Sequence, residues 1–253
     1  MLASVRDRVT FIVHPCEPAR RTRPQTILAA MTVPSTGLLR VAIVEDQPLF
    51  RSMLEHTLSG TTGLQVVAAV GTATEAARVL RPGSVDCVIL DIDLPDGNGI
   101  ALGVTLRRTT PTLGILLLSA HDAMDLLLDL PADVAAGWGY LSKTSSTSEE
   151  VLVNAVRAAA VGETVLDPAL LARMTPRAGS DVARLTDRQY EVLRLLAAGL
   201  SNAGIGDRLG ITEKSVQNHV NGMYATLGID ADPQRNPRVS AALRLLEETG
   251  PAV

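Results

Sequence analysis

A doubly wound α/β domain, followed by a small all-α domain, is the architecture that this sequence predicts. Two observations carry the prediction. From about Leu38 to Glu163, continuous apolar runs alternate with segments of helical period, and after a stretch marked by Pro168, Pro176, Gly179 and Ser180 the alternation gives way to helical periodicity throughout. The runs are apolar at consecutive positions, which suits strands covered on both faces, as in a parallel sheet between two helical layers.

Taken in order, the strand candidates are LLRVAIV (38–44), LQVVAAV (64–70), VDCVIL (85–90), LGILLLS (113–119) and the shorter GWGYL (137–141). Between and after them, Pro48–Leu58, Thr74–Leu80, Ile100–Arg108, Asp122–Leu130 and Ser148–Val161 read as helices. The last is expected to open on a capping box at Ser146–Glu149. Pro131 should end the fourth helix early, because proline lacks an N–H and clashes one turn back. A second capping box, Thr186 to Gln189, opens the helical region. The expected divisions are an N-terminal extension at 1–37, an α/β domain at 38–163, a linker at 164–181 and a helical domain at 182–253. The extension, with its scattered arginines and prolines, is expected to be disordered. Met31 is an alternative natural start.

Composition narrows the class. Hydrophobic residues make up 46% of the 253 and charged residues 20%, which is globular; aromatics at 2% leave the core to Ala, Val, Leu and Ile. The net charge of −4 does not advertise a polyanion binder, although one small face can still be suited to DNA. Cys16 and Cys87 are too few for a disulfide scaffold, and Cys87, inside an apolar run, reads as a buried, inert thiol. No apolar run approaches the roughly 20 residues that span a bilayer, so a soluble cytoplasmic protein without membrane contact is expected.

The chemistry gathers at strand ends. The first strand ends in Glu45-Asp46, the third in Asp91 and the fourth in Ser119, while Lys143 follows the fifth. In an open α/β sheet, ligands bind beyond the carboxyl ends of the strands where the strand order reverses. With the order 2-1-3-4-5, that point brings Asp46 beside Asp91. Crowded carboxylates need a cation, and a hard divalent ion with oxygen ligands, Mg²⁺ foremost, answers this and would also clamp a phosphoryl group. A carboxylate can take that group as an acyl phosphate. Lys143 would neutralise its oxygens and Ser119 would donate a hydrogen bond.

VAIVEDQP, VDCVILDIDLPDGNG, LLLSAH and GYLSK resemble the acidic pair, acceptor loop, switch hydroxyl and lysine of response-regulator receivers, whose fold has the flavodoxin-like strand order. The resemblance implies that Asp91 is the phosphoacceptor and that Glu45 and Asp46 bind Mg²⁺ with Asp91 and the backbone of Asp93. It also implies that Ser119 and Tyr140 form the switch pair. Pro131 departs from the family pattern and leaves open how the signal reaches the usual output face.

In the helical region, Val216, Val220, Met223 and Leu227 form one apolar stripe, and Lys214, Gln217, Asn218 and Asn221 another, polar face. Amide side chains suit base edges, since Asn and Gln can bond adenine bidentately. The stretch Leu185–Ile229 resembles the LuxR-type helix-turn-helix of NarL/FixJ-type regulators, with Lys214, Ser215, Gln217, Asn218 and Asn221 as candidate DNA contacts. That likeness implies a transcription factor rather than an enzyme, with a sensor histidine kinase and promoter DNA as partners and a homodimer at least when phosphorylated. From Asp181 onward nine acids outnumber eight basic residues, so a monomer should bind DNA weakly. Two rivals stay open. Asp91-Ile92-Asp93 is a DxD, as in haloacid-dehalogenase-type phosphatases, although Pro95 does not fit that motif; the other rival is a receiver that is never phosphorylated.

Overall fold

The apolar runs become strands that bury alternate residues on opposite sides. The computed structural model describes residues 37–131, 133–230 and 235–251; the expectations about the N-terminal extension up to residue 36, including Cys16, lie outside the described residues. Strands β1 (Leu39–Val44), β2 (Leu64–Val70), β3 (Cys87–Asp91), β6 (Gly114–Ser119) and β7 (Trp138–Ser142) form one parallel sheet in the order β2-β1-β3-β6-β7. A two-residue hairpin, β4 (Asp93–Leu94) with β5 (Gly97–Asn98), follows β3. Val41, Ile43, Ile89, Leu116 and Leu118 pack under helices α1 (Pro48–Ser59) and α4 (Glu149–Ala160). Ala42, Val44, Val88, Leu90, Ile115 and Leu117 face the other way, toward α2 (Ala73–Val79) and α3 (Gly99–Thr109). The period-two alternation thus feeds two cores, and neither sheet face is left to water. Cys87 is fully buried, and burial pushes its thiol up to about 12, so it stays protonated.

Helix α4 lies so close to β6 that a Cβ on Gly114 would sit 2.4 Å from the Ala159 carbonyl oxygen, a backbone atom that cannot swing aside. Gly114→Ala is therefore expected to destabilise the chain by about 1–3 kcal/mol, the range for overpacking. Urea denaturation would show a lower midpoint at unchanged slope; an unaltered midpoint would mean that α4 does not pack there.

Two local expectations are corrected. The segment Asp122–Leu130 is not a helix but a single 3₁₀ turn, Met124–Leu127. Pro131 removes one donor, while tertiary bonds hold the chain off an α path: the Ala123 N–H donates to Tyr140 Oη at 3.0 Å, and Trp138 Nε1 donates to the Val134 carbonyl at 2.7 Å. Arg107, buried and without a carboxylate partner among the described residues, donates to the carbonyls of Pro111 and Ala136 and pins the same stretch. The Ser146–Glu149 capping box does not form either. Ser146 Oγ donates back to the Lys143 carbonyl at 2.9 Å within a 3₁₀ turn, Ser145–Thr147, and the N-cap of α4 is Ser148, without a side-chain bond.

Beyond α4 the chain stays in contact with the sheet. Val165 bridges Gly139 of β7 in parallel, its N–H bonding to the Trp138 carbonyl and its carbonyl accepting from Tyr140 N–H, while Leu166 N–H donates to the Ala197 carbonyl at 2.7 Å. Asp167, fully buried, caps the short helix α5 (Pro168–Leu171) and accepts from Ser142 N–H at 2.7 Å. Strand β8 (Met174–Pro176), in the segment expected to be a linker, then pairs antiparallel with β9 (Thr249–Pro251), in the region expected to be helical. Between them lie α6 (Asp187–Ala197), α7 (Asn202–Leu209), α8 (Glu213–Thr226) and α9 (Pro237–Glu248). The Thr186–Gln189 capping box is present in both directions.

Candidate functional site

Because β1 and β3 are hydrogen-bonded neighbours, with Val44 paired to Leu90, the residues that follow them emerge side by side. Glu45 is fully buried and Asp91 is 2% exposed; oxygens of Glu45, Asp46 and Asp91 lie within 4.8 Å of one another. Lys143 enters from the end of β7, its Nζ 2.8 Å from Glu45 Oε1 and 2.9 Å from Asp91 Oδ2. One cation thus serves two buried carboxylates while Asp46 stays outside that pair. Burial raises the pKa of Glu45, and the Lys143 bond only partly opposes it. Desolvation works against the Lys143 ammonium, yet the two carboxylates outweigh it and raise its pKa.

Two buried carboxylate oxygens, Glu45 Oε2 and Asp46 Oδ1, have no hydrogen-bond partner among the described residues. Orphaned anionic oxygens in a trio of this kind fit a hard divalent cation with oxygen ligands, and the residues present suit Mg²⁺. The other Asp91 oxygen, Oδ1, accepts from its own hairpin, the Asp93 N–H at 3.3 Å. The hairpin turns so tightly that a Cβ on Gly99 would lie 2.0 Å from the Asp91 carbonyl oxygen, so this position must be glycine. The Asp93 side chain is exposed, and its carboxylate is not part of the trio.

Ser119 and Tyr140 converge on one loop. Ser119 Oγ accepts from His121 N–H at 3.1 Å; Tyr140 Oη donates to the His121 carbonyl and accepts from Ala123 N–H. Both side chains are buried, and burial raises the pKa of Tyr140. Sequence reasoning passed over Arg51, whose guanidinium donates to the carbonyls of Glu45 and Asp46 and fixes the acidic turn from one helical turn into α1. It also passed over Asp167, which ties the strand end beside Lys143 to α5. Helical spacing from Gln47 could have suggested Arg51; nothing local marks Asp167.

In the helical region, Val216, Val220, Met223 and Leu227 are buried, each such side chain contributing about 1.5–3 kcal/mol if fully removed from water. Thr212 caps α8 by accepting from Ser215 N–H. Lys214, Gln217, Asn218 and Asn221 are exposed on the opposite side, and Ser215 is partly exposed. Among the described residues, no helix is long and apolar enough to cross a membrane.

The response regulator receiver domain family matches residues 41–157, which contain all but the first two residues of the sheet and the whole acidic pocket. The luxR family of bacterial regulatory proteins matches residues 183–235, which contain α6, α7 and α8. Over 203 residues the chain is 33% identical to the DNA-binding transcriptional activator DevR/DosR of Mycobacterium tuberculosis, covering 78% of this chain and 92% of that protein. It is 31% identical over 226 residues to the nitrate/nitrite response regulator protein NarP of Escherichia coli, covering 86% and 99%. Among solved structures, the response regulator ChrA of a haem-sensing two-component system aligns at a TM-score of 0.42 and 29% identity, over 83% of this chain and 98% of that one. The chain belongs to the two-component response regulators that join a receiver to a LuxR-type DNA-binding domain.

Proposed function

We propose that this transcriptional regulator accepts a phosphoryl group on Asp91 from a sensor histidine kinase in the cytoplasm and thereby dimerises and binds its promoter more tightly. In this reading the receiver spans 38–163, the linker 164–181 and the DNA-binding domain 182–253. The observation that carries it is the Lys143 bridge between Glu45 and Asp91 beside two orphaned carboxylate oxygens. Glu45, Asp46 and Asp91, with the Asp93 backbone, would hold Mg²⁺, which when bound supplies charge neutralisation for the incoming phosphoryl oxygens. The Asp91 carboxylate attacks phosphorus as the bond to the kinase's histidine nitrogen breaks, and an acyl phosphate forms. Lys143 passes from Asp91 Oδ2 to a phosphoryl oxygen. Ser119 Oγ turns from the His121 N–H to another, which frees the loop that Tyr140 also holds. On α8, Lys214, Ser215, Gln217, Asn218 and Asn221 face the major groove. Two such helices in a dimer offset the low charge of one.

The coupling is tested by measuring duplex binding of wild type and Asp91→Asn, each with and without acetyl phosphate and Mg²⁺. Wild type should bind at least tenfold tighter with the donor, and Asp91→Asn should not respond. Equal affinity in all four conditions would sink the coupling.

A further inference from the structure

Arg238, near the start of α9, is held between the two halves of the chain. Its Nε lies 2.8 Å from Glu163 Oε1, just past α4 on the receiver side, and both side chains are mostly buried, 18% and 22% exposed. The same guanidinium donates to the Leu200 carbonyl and, through Nη1 at 3.2 Å, to Asn202 Oδ1. Asn202 Nδ2 donates to Gln217 Oε1 at 2.8 Å, and Gln217 Nε2 donates to Asn221 Oδ1 at 2.9 Å. A guanidinium can only donate. Asn202 must therefore turn its oxygen to Arg238 and its nitrogen to Gln217, and the choice passes unchanged down the chain. The orientation of three amides follows from one cation, which Glu163 holds as an ion pair, Nε making no hydrogen bond among the described residues.

Bidentate reading of adenine needs an amide that offers both its oxygen and its N–H to the base edge. Gln217 has its oxygen engaged by Asn202 and an N–H engaged by Asn221, while the Asn221 oxygen is taken by Gln217. We infer that Glu163, Arg238 and Asn202 form a relay by which the receiver keeps the base-reading amides Gln217 and Asn221 occupied, Arg238 and Asn202 being positioning residues for the reading face. The inference rests on the DNA-reading role given above to α8. When the halves separate, Arg238 loses its carboxylate, its desolvated charge turns to solvent, and the relay loses its first donor. Asn202 is then free to rotate, and Gln217 presents both amide groups outward. The DNA-binding domain need not be sterically covered for the receiver to restrain it, because the polar face of α8 is already exposed.

The test uses the full-length, unphosphorylated chain and a duplex enriched from a random-sequence pool by the same chain treated with acetyl phosphate. Glu163→Gln keeps the shape but removes the charge; Asn202→Ala interrupts the relay while leaving the ion pair intact. Each is expected to bind the duplex about three- to tenfold tighter than wild type, as for loss of one or two hydrogen bonds. The double variant should be no tighter than either single one, because both break the same chain. If Glu163→Gln tightens binding and Asn202→Ala does not, the ion pair merely holds the halves together and the relay is wrong. If neither alters affinity while Gln217→Ala weakens it, the relay is wrong and α8 still reads DNA. If Gln217→Ala leaves both affinity and sequence preference unchanged, the reading face lies elsewhere and both conclusions fall.

Discussion

Acetyl phosphate with Mg²⁺ is expected to add a single phosphoryl group to the wild-type chain and none to Asp91→Asn, an all-or-none difference visible in the intact masses. Asp91 is the pocket carboxylate held both by Lys143 and by the hairpin N–H of Asp93. If Asp91 is the acceptor proposed above, a nucleophile fixed in this way needs no further ordering before in-line attack. Asn at this position keeps the shape of the side chain but cannot form an acyl phosphate, so the variant should stay folded and unmodified. An adduct that persists on Asp91→Asn would place the acceptor elsewhere. Leaving Mg²⁺ out should abolish labelling of wild type, since Glu45 and Asp46 would then repel the donor.

Removing Lys143 should produce the largest change in stability. Lys143→Met leaves Glu45, fully buried, and Asp91 without their shared cation, and breaking a buried pair by deleting one partner typically costs about 3–5 kcal/mol. The dependence on pH follows from the signs. The folded-state pKa of Glu45 is raised above its ordinary 4.5, so the folded chain binds more protons than the unfolded one in the window just above that value. Its contribution therefore falls as pH rises through the folded pKa. Lys143 lowers the pKa of Glu45, so the variant should raise it further and widen that window. The Lys143 pKa is itself raised above 10.5, so its stabilising contribution is present below that value and lost only as pH climbs past the folded pKa. Denaturation in a chelator should thus show the variant weakest relative to wild type near neutral pH and closer to it toward pH 4. A constant gap across that range would mean that Lys143 acts through a contact that does not titrate there, such as its Nζ over the Phe50 ring 5.2 Å from the centroid, and not through Glu45. Mg²⁺ should recover part of the loss, in proportion to its binding to the folded state.

The sheet and the pocket were legible because strands buried on both faces write unbroken apolar runs, and because the acidic residues sit where those runs end. Glu45, Asp46, Asp91, Ser119 and Lys143 stand at the tips of strands that the alternation marks, while the order of those strands came from the resemblance to receivers. Helix α8 was legible for a similar reason, since Val216, Val220, Met223 and Leu227 mark the inward side at helical spacing. Asp122–Leu130 misled because its local pattern is helical while the forces against a helix come from far away: Tyr140 claims the Ala123 N–H, and Arg107 claims the Ala136 carbonyl. Ser146 misled because a hydroxyl can bond backward as easily as forward, and the turn after Lys143 decided the matter. The relay through Glu163, Arg238 and Asn202 left no trace at all. Its members are spread over three segments, and no spacing rule joins a residue after one domain's last helix to one at the start of another's.

Val165 and Leu166 have a consequence for how the chain can vary in length. Val165 is stitched to β7 through its N–H and its carbonyl, while Leu166, the next residue, bonds to the end of α6. Val165 and Leu166 are both buried but enter different cores, so adding or dropping one residue between Glu163 and Asp167 would exchange the side chains between them and break both attachments at once. The tip of the turn that follows, Ala178–Gly179, lies beyond the Arg177 N–H that bonds to the Glu248 carbonyl and carries no such register among the described residues. Insertions and deletions among natural variants should collect there and avoid the four positions that follow Glu163.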